Sequence, residues 1–108
     1  KEKQLIHIEK LFMDNIADFL TKLANTKMAH GSLLDETIVL MGSNMGQANV
    51  HDTRNLPIVV AGGGFEHAGH IAGNGEPLNE LFLSLANNLQ GVYMPSFKNT
   101  SNTLKAFS

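Results

Sequence analysis

The chain contains no cysteine, which excludes disulfides, thiolate metal sites and a cysteine nucleophile and leaves the redox compartment open. It has no charge of one dominant sign: 8 Lys and Arg stand against 10 Asp and Glu, for a formal net charge of −2. A nucleic-acid footprint needs a basic stripe, so nucleic acid is set aside as a partner. No apolar run approaches the length that crosses a membrane. The chain also begins without methionine and without a signal-peptide pattern, which fits an excised or processed piece and leaves the compartment undetermined. At 108 residues it is a single small α/β domain at most, spanning 1–108 and burying a modest fraction of its surface, whereas complete α/β enzymes are usually much longer.

Glycine, by contrast, is plentiful, with 10 in the chain, and its placement is informative. Between Thr37 and Gly64, the apolar runs Ile38-Val39-Leu40-Met41 and Ile58-Val59-Val60-Ala61 bracket a polar loop that carries His51 and Asp52. Neither run alternates polar with apolar residues, so each reads as a strand covered on both faces, as in a parallel sheet. Gly42 and Gly46 follow the first run and Gly62-Gly63-Gly64 the second, where the backbone must turn sharply or approach a ligand closely. In open α/β sheets ligands bind outside those carboxyl ends.

Upstream, Leu5, Ile8, Phe12, Ile16, Phe19 and Leu23 recur at three- and four-residue spacing with charged residues between them, which predicts a long amphipathic helix ending near Asn25-Thr26-Lys27. Leu33-Leu34 is expected to pack beneath the sheet, Asp35-Glu36 to turn into the first strand, and Pro57 to open the second. Phe65 to Glu76, with His67 and His70, has the composition of an extended surface loop. Pro77 opens a second amphipathic helix with Leu78, Leu81, Phe82, Leu85 and Leu89 on one face and Gly91 as its stop. The polar tail from Met94 to Ser108, with Phe97, Leu104 and Phe107 as anchors, is expected to wrap the surface.

The segments LLDETIVLMGSNMG, NVHDTRNLPIVVAGG, GHI and PLNELFLSLANNL, in that order, resemble the C-terminal part of domain of unknown function 1552, a bacterial protein family. That family is similar to the sulfatase-like branch of the alkaline phosphatase superfamily, whose members hydrolyse or transfer phosphate and sulfate esters at a paired divalent-metal site. The resemblance implies the C-terminal piece of a longer protein with an alkaline-phosphatase-like fold, here a short parallel sheet flanked by two main helices. Members of the superfamily typically carry an Asp-His pair at a strand end and another histidine on a following loop. Ser43-Asn44 stands where the pair would be, and Asn44 can offer only a carbonyl oxygen to a hard cation. His51, with Asp52 beside it, matches the later histidine. The resemblance therefore makes His51, Asn44 and Asp52 the candidate ligands of a divalent metal (zinc, calcium or magnesium), with Arg54 and Asn55 as candidate contacts to an anionic ester. The superfamily's nucleophile and first metal-binding acid lie upstream of anything in this chain.

Read from the residues alone, a catalytic zinc needs about three converging protein ligands, and His51, His67 and His70 all follow the two strands on loops. His67 and His70 also read as ordinary exposed histidines, and His51-Asp52 as a hydrogen-bonded pair that fixes its loop. Arg54 can grip an anion bidentately or form a salt bridge with Asp52. Ser43 lacks the frame of a nucleophile elbow, and the glycine run is a strand-end turn, since no Gly-Lys-Ser/Thr ending follows. Three readings result. The parent is an ester hydrolase completed elsewhere; or its site has degenerated into a binding site for a glycan or a protein partner; or the isolated piece self-associates through unpaired strand edges.

Overall fold

The computed structural model describes residues 1–47, 49–64, 66–89 and 91–104. Helix α1 spans Glu2–Asn25, uninterrupted by Pro or Gly, with ion pairs between Lys10 and Asp14 (2.8 Å) and between Asp18 and Lys22 (3.0 Å) along its polar side. Glu2 in the first turn and Lys22 in the last complement the helix dipole. The helix ends where Thr26 turns extended (φ −87°, ψ 110°), its hydroxyl donating to the Lys22 carbonyl at 2.7 Å.

A two-residue hairpin follows, β1 (Lys27–Met28) against β2 (Gly31–Ser32), antiparallel with Lys27 opposite Ser32; no sequence signal announced it. Asp35 then accepts from the Ser32 backbone N–H (2.9 Å) and hydroxyl (3.2 Å). This closes a turn over residues 33–36 that includes the expected Asp35-Glu36 and also takes in Leu33-Leu34, and from it Thr37 enters the main strands with its hydroxyl on the Leu33 carbonyl (2.7 Å).

The main strands are β3 (Ile38–Gly42) and β4 (Ile58–Gly62), within a residue of the positions predicted. Their pairing corrects the expected short parallel sheet: β3 and β4 are antiparallel, with Ile38 opposite Gly62, Leu40 opposite Val60 and Gly42 opposite Ile58. Each sheet of the described chain has two antiparallel strands. Parallel neighbours need a crossover, usually helical, that carries the chain back along the sheet. Residues 43–47 and 49–57 hold no such helix and return directly, so β4 runs back beside β3. The unbroken apolar runs misled because they signal demand for cover, not direction. Leu40 and Val59 lie on opposite faces of the pair by register, and each is 41% exposed.

Helix α2, Leu78–Asn87, starts after Pro77 and carries the buried residues of the described chain: Leu81, Leu83, Ser84 and Leu85. The described part of the tail packs onto it. Phe97 meets Phe82 edge to face with centroids 6.0 Å apart. Asn87 donates its amide to the Met94 carbonyl (3.0 Å) and accepts the Met94 N–H (2.8 Å). The Ser84 hydroxyl donates to the Glu80 carbonyl (2.7 Å) and accepts the Leu104 N–H (2.8 Å). The core thus centres on α2 and its strap, whereas α1 has no buried residue and leaves Leu5, Ile8, Phe12 and Phe19 at least half exposed. The accessible surface is 8637 Å², against about 5,900 Å² for a typical folded monomer of this mass.

Candidate functional site

The antiparallel pairing decides where the candidate residues lie. Gly42 and Ile58 mark one end of the sheet, Ile38 and Gly62 the other, separated by the length of a five-residue strand, about 15 Å. The loop with Asn44, His51, Asp52, Arg54 and Asn55 springs from the first end. The loop with His67 and His70 leaves from the second, and His67 is held there, its Nε2 2.8 Å from the Gly62 carbonyl. In a parallel sheet both loops would share one edge; here they do not. No three His, Cys, Asp or Glu side chains among the described residues gather where a metal could sit, so the convergence of His51, His67 and His70 is not formed.

Within the first loop the chain folds on itself. The Ser43 N–H donates to the Pro57 carbonyl (3.2 Å), the Gly46 N–H to the Asp52 carbonyl (2.8 Å) and the Asp52 N–H to the Gln47 carbonyl (3.1 Å), making an isolated antiparallel bridge between Gln47 and Asp52. Gly46 is required at this crossing, because a Cβ there would run into the carbonyl oxygens of Arg54 and Asn55. His51 (φ 54°) and Asn55 (φ 55°) adopt the left-handed conformation on either side of residues 52–54, a region where Asn and His are tolerated better than most side chains.

The pair Asp52–Arg54 is the most organised polar feature of this loop. Arg54 Nε lies 2.9 Å from Asp52 Oδ1 and Nη2 2.9 Å from Oδ2, while the Arg54 backbone N–H also donates to Oδ1 at 2.9 Å. The carboxylate accepts three hydrogen bonds, and the guanidinium first and the Arg54 backbone N–H second hold its pKa below the usual Asp value; Asp52 in turn pushes Arg54 further up. The Asp52 side chain is 26% exposed and the Arg54 side chain 87%, so the carboxylate faces the loop and the guanidinium faces water. Chemically this is a presented cation: one edge of the fork is spent on Asp52, and the remaining N–H groups point outward, free to bond the oxygens of an anion.

Asn44 lies two residues before Gly46, whose N–H donates to the Asp52 carbonyl. With Ser43 it rims a shallow hollow of about 210 Å³ floored by Leu40, Ile58, Leu78 and Phe82, which His51, Asp52 and Arg54 do not line. Ser43 is engaged locally, its hydroxyl donating to the Met45 carbonyl at 2.9 Å. Of the proposed set His51, Asn44 and Asp52, both Asp52 oxygens are engaged by Arg54, so a metal would compete with the guanidinium for them. The exposed His51 ring is a donor that a metal held elsewhere can reach.

Ser84, which no motif in the sequence singles out, is the polar hub joining α2 to the tail. The available signal was a hydroxyl set among Leu81, Leu83 and Leu85. Comparison with family models, with curated proteins and with solved structures finds no match to this chain.

Proposed function

We propose that this chain is the loop-bearing C-terminal portion of a protein similar to domain of unknown function 1552 and that it contributes an anion-recognising edge to a site for phosphate or sulfate esters. The carrying observation is the Arg54 guanidinium, fixed on Asp52 by two 2.9 Å hydrogen bonds yet 87% exposed. An arginine whose stem and inner edge are already ordered loses little further freedom on gripping an anion, so its remaining N–H groups act as a preset receptor. Asn55 follows it with a positive φ, and its exposed amide is the adjoining hydrogen-bond donor. The hydrolytic step, where there is one, is carried by a nucleophile and metal ligands outside this chain, with His51 the ring this chain offers at the border. The surplus of accessible surface and the open apolar faces of α1 and of the β3–β4 pair support a body that packs against more protein.

A binding-only role is the second reading, supported by Asp52 being committed to Arg54 and by Ser43-Asn44 in place of an Asp-His pair. The test has two parts. Titration of the chain with inorganic phosphate and sulfate, followed by amide chemical shifts, should move Arg54 and Asn55 first, and an Arg54→Ala variant should lose the response; unmoved resonances reject the anion edge. Hydrolysis of generic phosphate and sulfate esters by the longest protein containing this sequence, with and without a chelator, then separates the two readings. Chelator-sensitive turnover supports the hydrolase, and anion binding without turnover supports the binding protein.

A further inference from the structure

The loop between β4 and α2 contains the one Asn-Gly step of the sequence, Asn74-Gly75, and the structure leaves both residues exposed. Gly75 adopts φ +84°, with nothing within 4 Å of the position a Cβ would take. The neighbouring contact is made by Glu76, whose carboxylate accepts the Asn74 backbone N–H at 2.5 Å; it anchors the main chain of Asn74 while its side-chain amide has no partner among the described residues. The asparagines on α2 and at its C-cap are tied down: Asn79 to Asn99, Asn87 to Met94 and Asn88 to the Ser84 carbonyl.

We propose that Asn74 is a site of spontaneous, backbone-assisted deamidation, an ageing modification built into this loop. In the first step the Gly75 backbone nitrogen bonds to Asn74 Cγ, the Cγ–Nδ2 bond breaks, and Nδ2 leaves as ammonia carrying the proton that the Gly75 amide gives up. The result is a five-membered succinimide. Water then adds to one of its two carbonyl carbons and opens the ring, giving aspartate or isoaspartate. The attack needs a flexible, unshielded nitrogen, and glycine supplies one because no side chain hinders the approach and its backbone reaches conformations that other residues avoid. Either product places a second carboxylate beside Glu76. The isoaspartate form also reroutes the main chain through the side chain, so the Glu76 clamp on the Asn74 N–H cannot keep its geometry.

The modification is read on the full chain incubated at neutral to mildly alkaline pH, folded and in urea, with peptide masses followed over time. The peptide containing Asn74 should be the first to show the mass gain of amide-to-acid conversion, with isoaspartate among its products, and at a folded-state rate comparable to that in urea, because both residues of the step are exposed and the Glu76 contact holds only the Asn74 N–H. Asn74→Gln should remove that gain, and Gly75→Ala should lose most of it. A folded chain that keeps Asn74 amidated while its unfolded form converts would overturn the proposal. So would another asparagine converting first, or an undiminished gain in the Gln variant.

Discussion

The Asp52 carboxylate and the Arg54 guanidinium meet edge to edge, two residues apart, each of the two carboxylate oxygens 2.9 Å from a different guanidinium nitrogen. The two side chains are brought together locally: Asp52 Oδ1 also accepts the Arg54 backbone N–H at 2.9 Å, an Asx-type turn flanked by His51 and Asn55 of positive φ. A pair so close in sequence costs little chain entropy to form and can persist although Arg54 is largely exposed.

This pair should be visible in acid. The Asp52 pKa is lowered in the folded chain, so the fork adds stability that is fully present above the unfolded-state pKa and is lost as pH falls through the folded value. The fork's own contribution is constant through neutral pH. In a carboxyl-detected NMR titration Asp52 should titrate below the ordinary Asp range and the Arg54 Nε–H signal should shift with it. An Asp52→Asn variant should abolish the coupled shift, and an Asp52 that titrates at the ordinary value would show that the fork does not persist in solution.

Arginine and lysine should not be interchangeable at position 54. Lysine keeps the charge but cannot bond both oxygens of Asp52 while presenting further N–H groups in a fixed plane. Arg54→Lys is expected to retain a weak, salt-sensitive response to sulfate and to lose the part that resists salt, a drop on the order of tenfold in affinity, about the worth of one charge-assisted hydrogen bond. Equal affinities for the two side chains would mean that only the charge matters.

Much of the element layout was legible in the chain. The three- and four-residue spacing from Leu5 to Leu23 and the Pro77 start of α2 are local patterns, and local patterns survive into structure. The direction of β4 was not legible. Ile58-Val59-Val60-Ala61 is equally apolar in either sense, and the deciding fact is that the described residues of the loop after Gly42, 43–47 and 49–57, hold no crossover helix, while the polarity of that stretch reads as site chemistry. That one choice carried the histidines with it, since a parallel sheet would set the His51 and His67 loops on one edge and the antiparallel pair sets them at opposite ends. The Asp52–Arg54 bridge was foreseen as an alternative because it is local; the hydrogen bond from Leu104 to Ser84 could not be, because it spans 20 positions.

That long-range bond should be measurable. Ser84 is 1% exposed and its hydroxyl accepts the Leu104 N–H. Ser84→Ala leaves that N–H without its partner, and the expected loss in a urea or guanidinium unfolding experiment is about 1–3 kcal/mol. Asn79→Ala, which removes an exposed bond to Asn99, should cost clearly less. If the two variants unfold alike, the tail is not strapped to α2 through Ser84.

Two glycines with the same backbone angle separate conformational cost from steric cost. Gly62 has φ +79° and Gly69 φ +80°, but a Cβ at Gly62 would strike the carbonyl oxygens of Thr37 and Leu34, whereas at Gly69 it would meet nothing within 4 Å. Gly69→Ala should therefore show only the left-handed penalty for an L-residue, about 1–2 kcal/mol, lowered further if its loop can relax. Gly62→Ala adds the clash against backbone that is pinned by the Gly63 N–H to Leu34 carbonyl bond (3.1 Å), so the expected loss is about 2–5 kcal/mol. It should also loosen the end of β4, seen as faster hydrogen exchange at Gly63 and at the Ile38–Gly62 pairing. Equal losses for the two variants would show that the Leu34–Gly62 contact adds nothing and would leave only the positive φ as the reason for glycine at the end of β4.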